Sequence, residues 1–227
     1  MAMTIAFVAV VLFLQLVTSG AKVVPGRLQA AGEQMFGMID GVTDSIIGHE
    51  GRKYFPFVFS LFCLILSMNL LGMFLSFTAT SQLSVTMTLA ALTILLVLGI
   101  GFARNGIGFF KLFVPSGIPW PVLLLVVPIE LVSFLLRPVT LALRLFGNML
   151  GGHVALKIFA GFVVSLGAMA FTGESLGLFA LPVAALSMVG VVALTALEFL
   201  VAFLQAFVFA VLAAIYLNDV VNLGHGH

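Results

Sequence analysis

Two apolar tracts in the second half of the chain, residues 119–171 and 176–223, constrain its fold more than any other feature. Backbone N–H and C=O groups have no water to bond in a bilayer core, so tracts this apolar must satisfy them internally, as helices. A helix rises about 1.5 Å per residue, so about 45 residues extend roughly 68 Å, more than twice the ~30 Å hydrocarbon thickness. Both tracts must therefore incline steeply, bend or break. Pro121, Pro128 and Pro138 in the first and Pro182 in the second supply places to bend. Ordinary hydrophobic mismatch produces tilts near ~20°, so a steeper pair needs protein support on at least one side. Thr172-Gly173-Glu174-Ser175 between them has the composition of a turn, which makes the pair an antiparallel hairpin.

Three shorter apolar runs precede the hairpin, at residues 3–24, 54–77 and 85–104. The first lacks the charged leading segment and small-residue cleavage site of a secretory signal and is expected to be a retained helix. Between the first two, residues 25–50 follow Pro25 with Leu28, Met35, Phe36, Ile39, Val42 and Ile46 at helical spacing among Arg27, Glu33, Asp40 and Asp44. That pattern predicts an amphipathic helix along the membrane surface. The expected fold is an all-α membrane protein, one membrane domain over residues 1–227. It has five transmembrane helices, the surface helix and a long, steeply tilted C-terminal helical hairpin. Nine Lys and Arg and eight Asp and Glu, 7% of the 227 residues against 63% hydrophobic, cannot keep such a surface in water. A soluble enzyme is excluded. The net charge of +1 gives no field to recruit nucleic acid. The single cysteine, Cys63, allows no internal disulfide and fits core packing.

Lys and Arg are retained on the cytoplasmic side of membranes. Lys22, Arg27, Arg52 and Lys53 flank the first connection, and Arg104 and Lys111 lie in the third, whereas residues 79–84 and the turn around Glu174 carry none. Five alternating spans then put the N-terminus outside and the C-terminus, with Asp219, His225 and His227, inside. Two histidines on a glycine-rich tail lack further ligands, and neither a metal nor a cofactor is expected.

The hairpin holds nearly all the ionisable groups within the spans: Glu130, Arg137, Arg144, His153, Lys157 and Glu198, with Asn148 and Gln205 beside them. A charge near the bilayer centre costs at least ~2.5–3.5 kcal/mol, so such residues face protein or water and usually serve a function. Residues seven apart differ by about 20° around a helix, so Glu130, Arg137 and Arg144 form a stripe, with Ser133, Thr140 and Asn148 near it. Glu198 and Gln205 share a face of the second tract by the same interval. Facing residues of an antiparallel pair have position numbers of nearly constant total. One register therefore sets Arg144 level with Gln205 and His153 level with Glu198. Arg137 and Lys157 fit anchoring or snorkelling roles.

Arginine stays protonated in proteins, so Arg144 cannot pass protons along a chain; it is a fixed charge. A histidine and a carboxylate can exchange protons near neutral pH. His153 and Glu198 fit an outer relay, and Glu130 with Ser133 an inner one. Two half-paths that stop at a permanent cation suit an exchange station, where a mobile carboxylic acid of another protein gains a proton from one side and loses it to the other. A secondary transporter with a midplane polar site is the alternative, although no internal repeat is evident. Neither a phosphate-binding glycine loop nor a nucleophile arrangement points to an enzyme.

The segment Pro138-Val139-Thr140-Leu141-Ala142-Leu143-Arg144-Leu145-Phe146-Gly147-Asn148-Met149 closely resembles the signature of subunit a of F-type ATP synthases. The resemblance extends through Tyr54-Phe55-Pro56-Phe57, Asn69-Leu70-Leu71-Gly72-Met73, Gly151-Gly152-His153, Glu198, Gln205-Ala206 and Tyr216-Leu217-Asn218-Asp219, covering the chain from about Pro25 onward. It implies a non-catalytic, proton-translocating stator subunit against a rotating ring of small proteolipid hairpins (subunit c), joined to peripheral stalk subunit b and the rest of the synthase. By the same resemblance, Arg144 is the essential charge facing the ring carboxylates. Asn148, His153, Glu198 and Gln205 match the outer half-channel, and Glu130 and Ser133 the inner one. A histidine on the first long helix with an acid on the second is the alphaproteobacterial and mitochondrial arrangement. With no transit peptide in the sequence, the bacterial plasma membrane is favoured over the mitochondrial inner membrane.

Overall fold

The computed structural model describes residues 2–18, 26–74, 82–114, 120–171 and 177–222. The end of the first expected span with Lys22 and Pro25, residues 79–81 of the 79–84 connection, the turn at 172–175 and the tail with His225 and His227 lie outside the described residues. Six α-helices follow in order: α1 (Ala2–Thr18), α2 (Arg27–Ile47), α3 (Phe55–Phe74), α4 (Leu83–Asn105), α5 (Trp120–Phe171) and α6 (Gly177–Val221). Among the described residues, the 3-10 segments His49–Lys53 and Gly106–Phe113 link α2 to α3 and extend α4. Four helices, α3 to α6, are long and apolar enough to cross a membrane; the apolar part of α1, Thr4–Val17, is shorter.

Helices α2 and α4 stop at glycines. Gly48 (φ 77°) and Gly106 (φ 51°) take positive φ, which other residues adopt only with strain. Their N–H groups donate back to Asp44 O and Phe102 O, satisfying carbonyls that a helix end leaves unbonded. Between its ends, α5 remains one helix through Pro128 and Pro138, and α6 through Pro182. Proline inside a membrane helix is tolerated because neighbouring groups can re-satisfy the carbonyl it frees.

The C-terminal half of α6 forms the centre of the bundle, packed against α2, α3, α4 and α5. Its buried face is a run of small residues, Ala202, Ala206, Ala210, Ala213 and Ala214, flanked by Phe209 and Leu217. Lipid tails are as apolar as leucine, so helices in membranes gain by close van der Waals contact, which small residues permit. From α3 come Phe62, Ile65, Met68 and the fully buried Asn69, whose Nδ2 donates to Ala202 O at 3.1 Å. From α4 comes a stripe of Thr86, Ala90, Thr93, Val97 and Gly101. The two threonine hydroxyls donate to carbonyls of their own helix and so cost nothing unbonded: Thr86 to Leu83 O and Thr93 to Leu89 O.

Helix α2 turns Ile39, Thr43 and Ile47 inward and exposes Glu33, Gln34, Asp44 and Ser45. Phe36, though exposed, lies edge-on to Phe55 and Phe59. Cys63 is buried and lines a small apolar cavity of about 140 Å³ between α1, α2 and α3.

The last turn of α6 is tied to three elements by side chains. Asn105 Nδ2 at the end of α4 donates to Val220 O at 2.7 Å, Asn222 Nδ2 donates to Ile47 O of α2 at 3.3 Å, and Arg137 of α5 bonds Asp219 at 2.9 Å. The 3-10 segment Gly106–Phe113 packs there too, Phe109 and Phe113 lying edge-on to Phe134 of α5.

Candidate functional site

α5 and α6 pack along much of their length, and the packing fixes which polar groups meet. At one level Phe159 of α5 sits against Gly190 of α6, where an added Cβ would come within 2.9 Å of the ring. Further along, His153 Nδ1 and Glu198 Oε1 face one another at 3.7 Å. The antiparallel register read from the sequence accounts for both contacts. Gly152 makes the second possible: a Cβ there would lie 2.9 Å from Glu198 Cγ, so the acid occupies the space a side chain at 152 would need. Glu198 is only 5% exposed, and its Oε1 has no hydrogen-bond partner. An enclosed carboxylate oxygen thus faces an imidazole nitrogen across a gap too long for a hydrogen bond.

Arg144 lies about half a turn around α5 from His153 and nearer the helix start. Leu141, Ala142, Leu145 and Met149 are buried on the inward side of this stretch, while Arg144, Asn148 and Thr140 are exposed. Among the described residues Arg144 forms no ion pair. No hydrogen bond joins it to Gln205, which is half-buried on α6. Gly147 and Gly151, on the same outward side, have open space where a Cβ would stand. A permanent cation flanked by an amide and two glycines thus stands on a side of α5 that is exposed among the described residues.

Toward the start of α5 the polar stripe becomes a network. Arg137 Nη1 donates to Asp219 Oδ2 at 2.9 Å, its Nη2 lies 3.6 Å from Glu130 Oε1, and the guanidinium sits over the rings of Phe134 and Tyr216. Arg137 is thus paired and stacked, where the sequence suggested an anchoring or snorkelling side chain. Ser133 is exposed on an open cleft of about 460 Å³ lined by Ile129, Val132, Ser133, Leu136, Arg137 and Thr140. The sequence reading assigned no site role to Asp219, Gly152 or Asn69, although all three fall in the motifs it singled out. Asp219 could have been found only by allowing for the reach of an arginine.

The profile of the ATP synthase A chain family matches residues 1–218. ATP synthase subunit a of Hyphomonas neptunium is 50% identical over 221 residues, covering 97% of this chain and 85% of the relative. That of Allorhizobium ampelinum is 52% identical over 216 residues, 95% of this chain and 83% of the relative, and that of Mesorhizobium japonicum 50% over 214 residues, 94% and 82%. With a profile match over nearly its whole length and half its residues shared with bacterial relatives, the chain belongs to the ATP synthase subunit a family, the non-catalytic, multi-pass, proton-translocating membrane stator subunit of the F-type enzyme.

Proposed function

We propose that the α5–α6 hairpin is the exchange station of this subunit. The exposed face of α5 around Arg144 turns to a rotating ring of proteolipid hairpins, subunit c. A ring carboxyl facing lipid is held neutral by desolvation; opposite the Arg144 guanidinium it is favoured as the anion, so each passage exchanges a proton. Asn148, His153, Glu198 and Gln205 carry protons from the outer side, and Glu130 with Ser133 opens to the inner side. Arg144, unable to release its proton, blocks a direct leak between the two half-paths.

The single observation that carries this reading is the contrast between two neighbouring sites on α5: Arg144 exposed and, among the described residues, without an ion pair, and His153 turned inward onto the buried Glu198. A cation left uncovered on an apolar flank is costly unless a partner of opposite charge completes it. The open space at Gly147 and Gly151 supports a close approach on the same side. In this reading α1, with residues up to 24, is the first of five spans, α2 lies on the inner membrane surface, and α5 and α6 cross at a steep incline. The N-terminus is outside and the C-terminus inside, and peripheral stalk subunit b completes the stator in an energy-coupling bacterial inner membrane.

Arg144→Ala tests the reading. Inverted membranes carrying the assembled variant complex should hydrolyse ATP without acidifying the vesicle lumen and should not make ATP from an imposed proton gradient. Coupled pumping in fully assembled Arg144→Ala membranes would overturn it.

A further inference from the structure

Arg137 serves two carboxylates at unequal range. The contact to Asp219, at 2.9 Å, is a direct hydrogen bond, while that to Glu130, at 3.6 Å, is an ion pair only. The guanidinium side chain is the most enclosed of the three, 21% exposed against 36% for Glu130 and 30% for Asp219. Its place is set largely from α6: Asp219 takes the hydrogen bond and the Tyr216 ring lies 5.0 Å from its centre, with Phe134 of α5 at 5.4 Å. The same arginine forms part of the wall of the cleft that holds Ser133.

We infer that Asp219 is a positioning residue of the inner half-path: by drawing Arg137 to itself, it leaves Glu130 only loosely held by that cation and therefore able to take up and release protons. The inference rests on the assignment of Glu130 to the inner path made above. A carboxylate in direct contact with a guanidinium is strongly favoured as the anion and makes a poor relay, whereas one held at longer range is favoured less. Without Asp219, Arg137 keeps one carboxylate within reach, and the contact to Glu130 tightens. Among the described residues, the charged or titratable groups around this pair are Asp219 and Tyr216 from α6 and Arg144 of α5, near enough to Tyr216 to act on it electrostatically. The 3-10 segment packs through Phe109 and Phe113, and α4 brings Arg104, exposed at its C-terminal end.

The test is the dependence of ATP-driven proton uptake on medium pH in inverted membranes, where the medium bathes the inner side, normalised at each pH to ATP hydrolysis by the same complex. In Asp219→Asn the midpoint above which uptake fails should fall by about one pH unit, since Glu130 must then be protonated against a closer cation. Arg137→Gln should move the midpoint upward. The Arg137→Gln, Asp219→Asn double variant should match Arg137→Gln alone, because Asp219 acts through the arginine. Wild-type midpoints in Asp219→Asn and Arg137→Gln, in a system where Glu130→Gln alters the profile, would overturn the inference and leave the assignment of Glu130 standing. A wild-type profile in Glu130→Gln would overturn that assignment, and this inference with it. Should Asp219→Asn fail to assemble, Asp219→Ser takes its place: the same downward shift is expected, and a wild-type midpoint would overturn the inference.

Discussion

A Cβ at position 152 would meet Glu198 Cγ at 2.9 Å, and the nearby Glu198 Oε1 is buried without a hydrogen bond. Gly152→Val should therefore displace the acid from His153 and slow ATP-driven proton pumping, while Gly37→Ala, at a position of α2 with open space, should leave pumping near wild type. Glu198→Gln replaces the carboxylate by an amide of nearly the same shape. Since a positioned acid–base group contributes about a hundredfold or more to proton transfer, flux in assembled membranes should fall at least about tenfold. Wild-type flux across pH in Glu198→Gln would remove this residue from the path. The meeting of His153 with Glu198 was legible in the sequence, because helical period and antiparallel direction together fix which positions face each other. The bond from Arg137 to Asp219 was not: the long arginine side chain reaches past its own level in the register, and register arithmetic places backbones, not the ends of flexible side chains.

Among the elements, α4 and α6 approach closely at Gly101, where a Cβ would lie 2.6 Å from Val220 Cγ1 and 2.8 Å from the Phe109 ring. Gly101→Leu should force α4, α6 and the 3-10 segment apart, seen as loss of the subunit from assembled complexes in mild detergent. Asn69→Leu, which removes the interhelical bond to Ala202 O, should be milder: such bonds average about 0.6 kcal/mol in membranes, enough to lower the detergent stability of the complex without preventing assembly. The two long helices could be foreseen because uninterrupted apolar length leaves a bilayer protein few other choices. Gly106–Phe113 could not, since Arg104 and Lys111 give the stretch the charge of a connection and eight residues are too few to display a period. Continuity of α5 through Pro128 and Pro138 was equally hidden, because proline in a sequence marks a weakened hydrogen bond without saying whether the chain turns there.

For the molecule as a whole, burial is lopsided: over an apolar stretch of 18 residues, 56% is buried in α3 and 44% in α6, against only 6% in α5. The chain reconstituted alone into liposomes should therefore show no proton flux that depends on Arg144, and such flux should appear only with the other membrane subunits of the synthase. Arg144-dependent conduction by the lone chain would mean that the path closes on itself without a partner. The lopsidedness also gives meaning to the three ties at the end of α6, where Asp219, Val220 and Asn222 are gripped from α5, α4 and α2. A lever clamped at its base and bare along its working edge transmits sideways load into its mounting. On the proposed placement of the ring, thrust from it would pass down α5 and be shared by three other helices at that clamp, so the subunit would resist being dragged around.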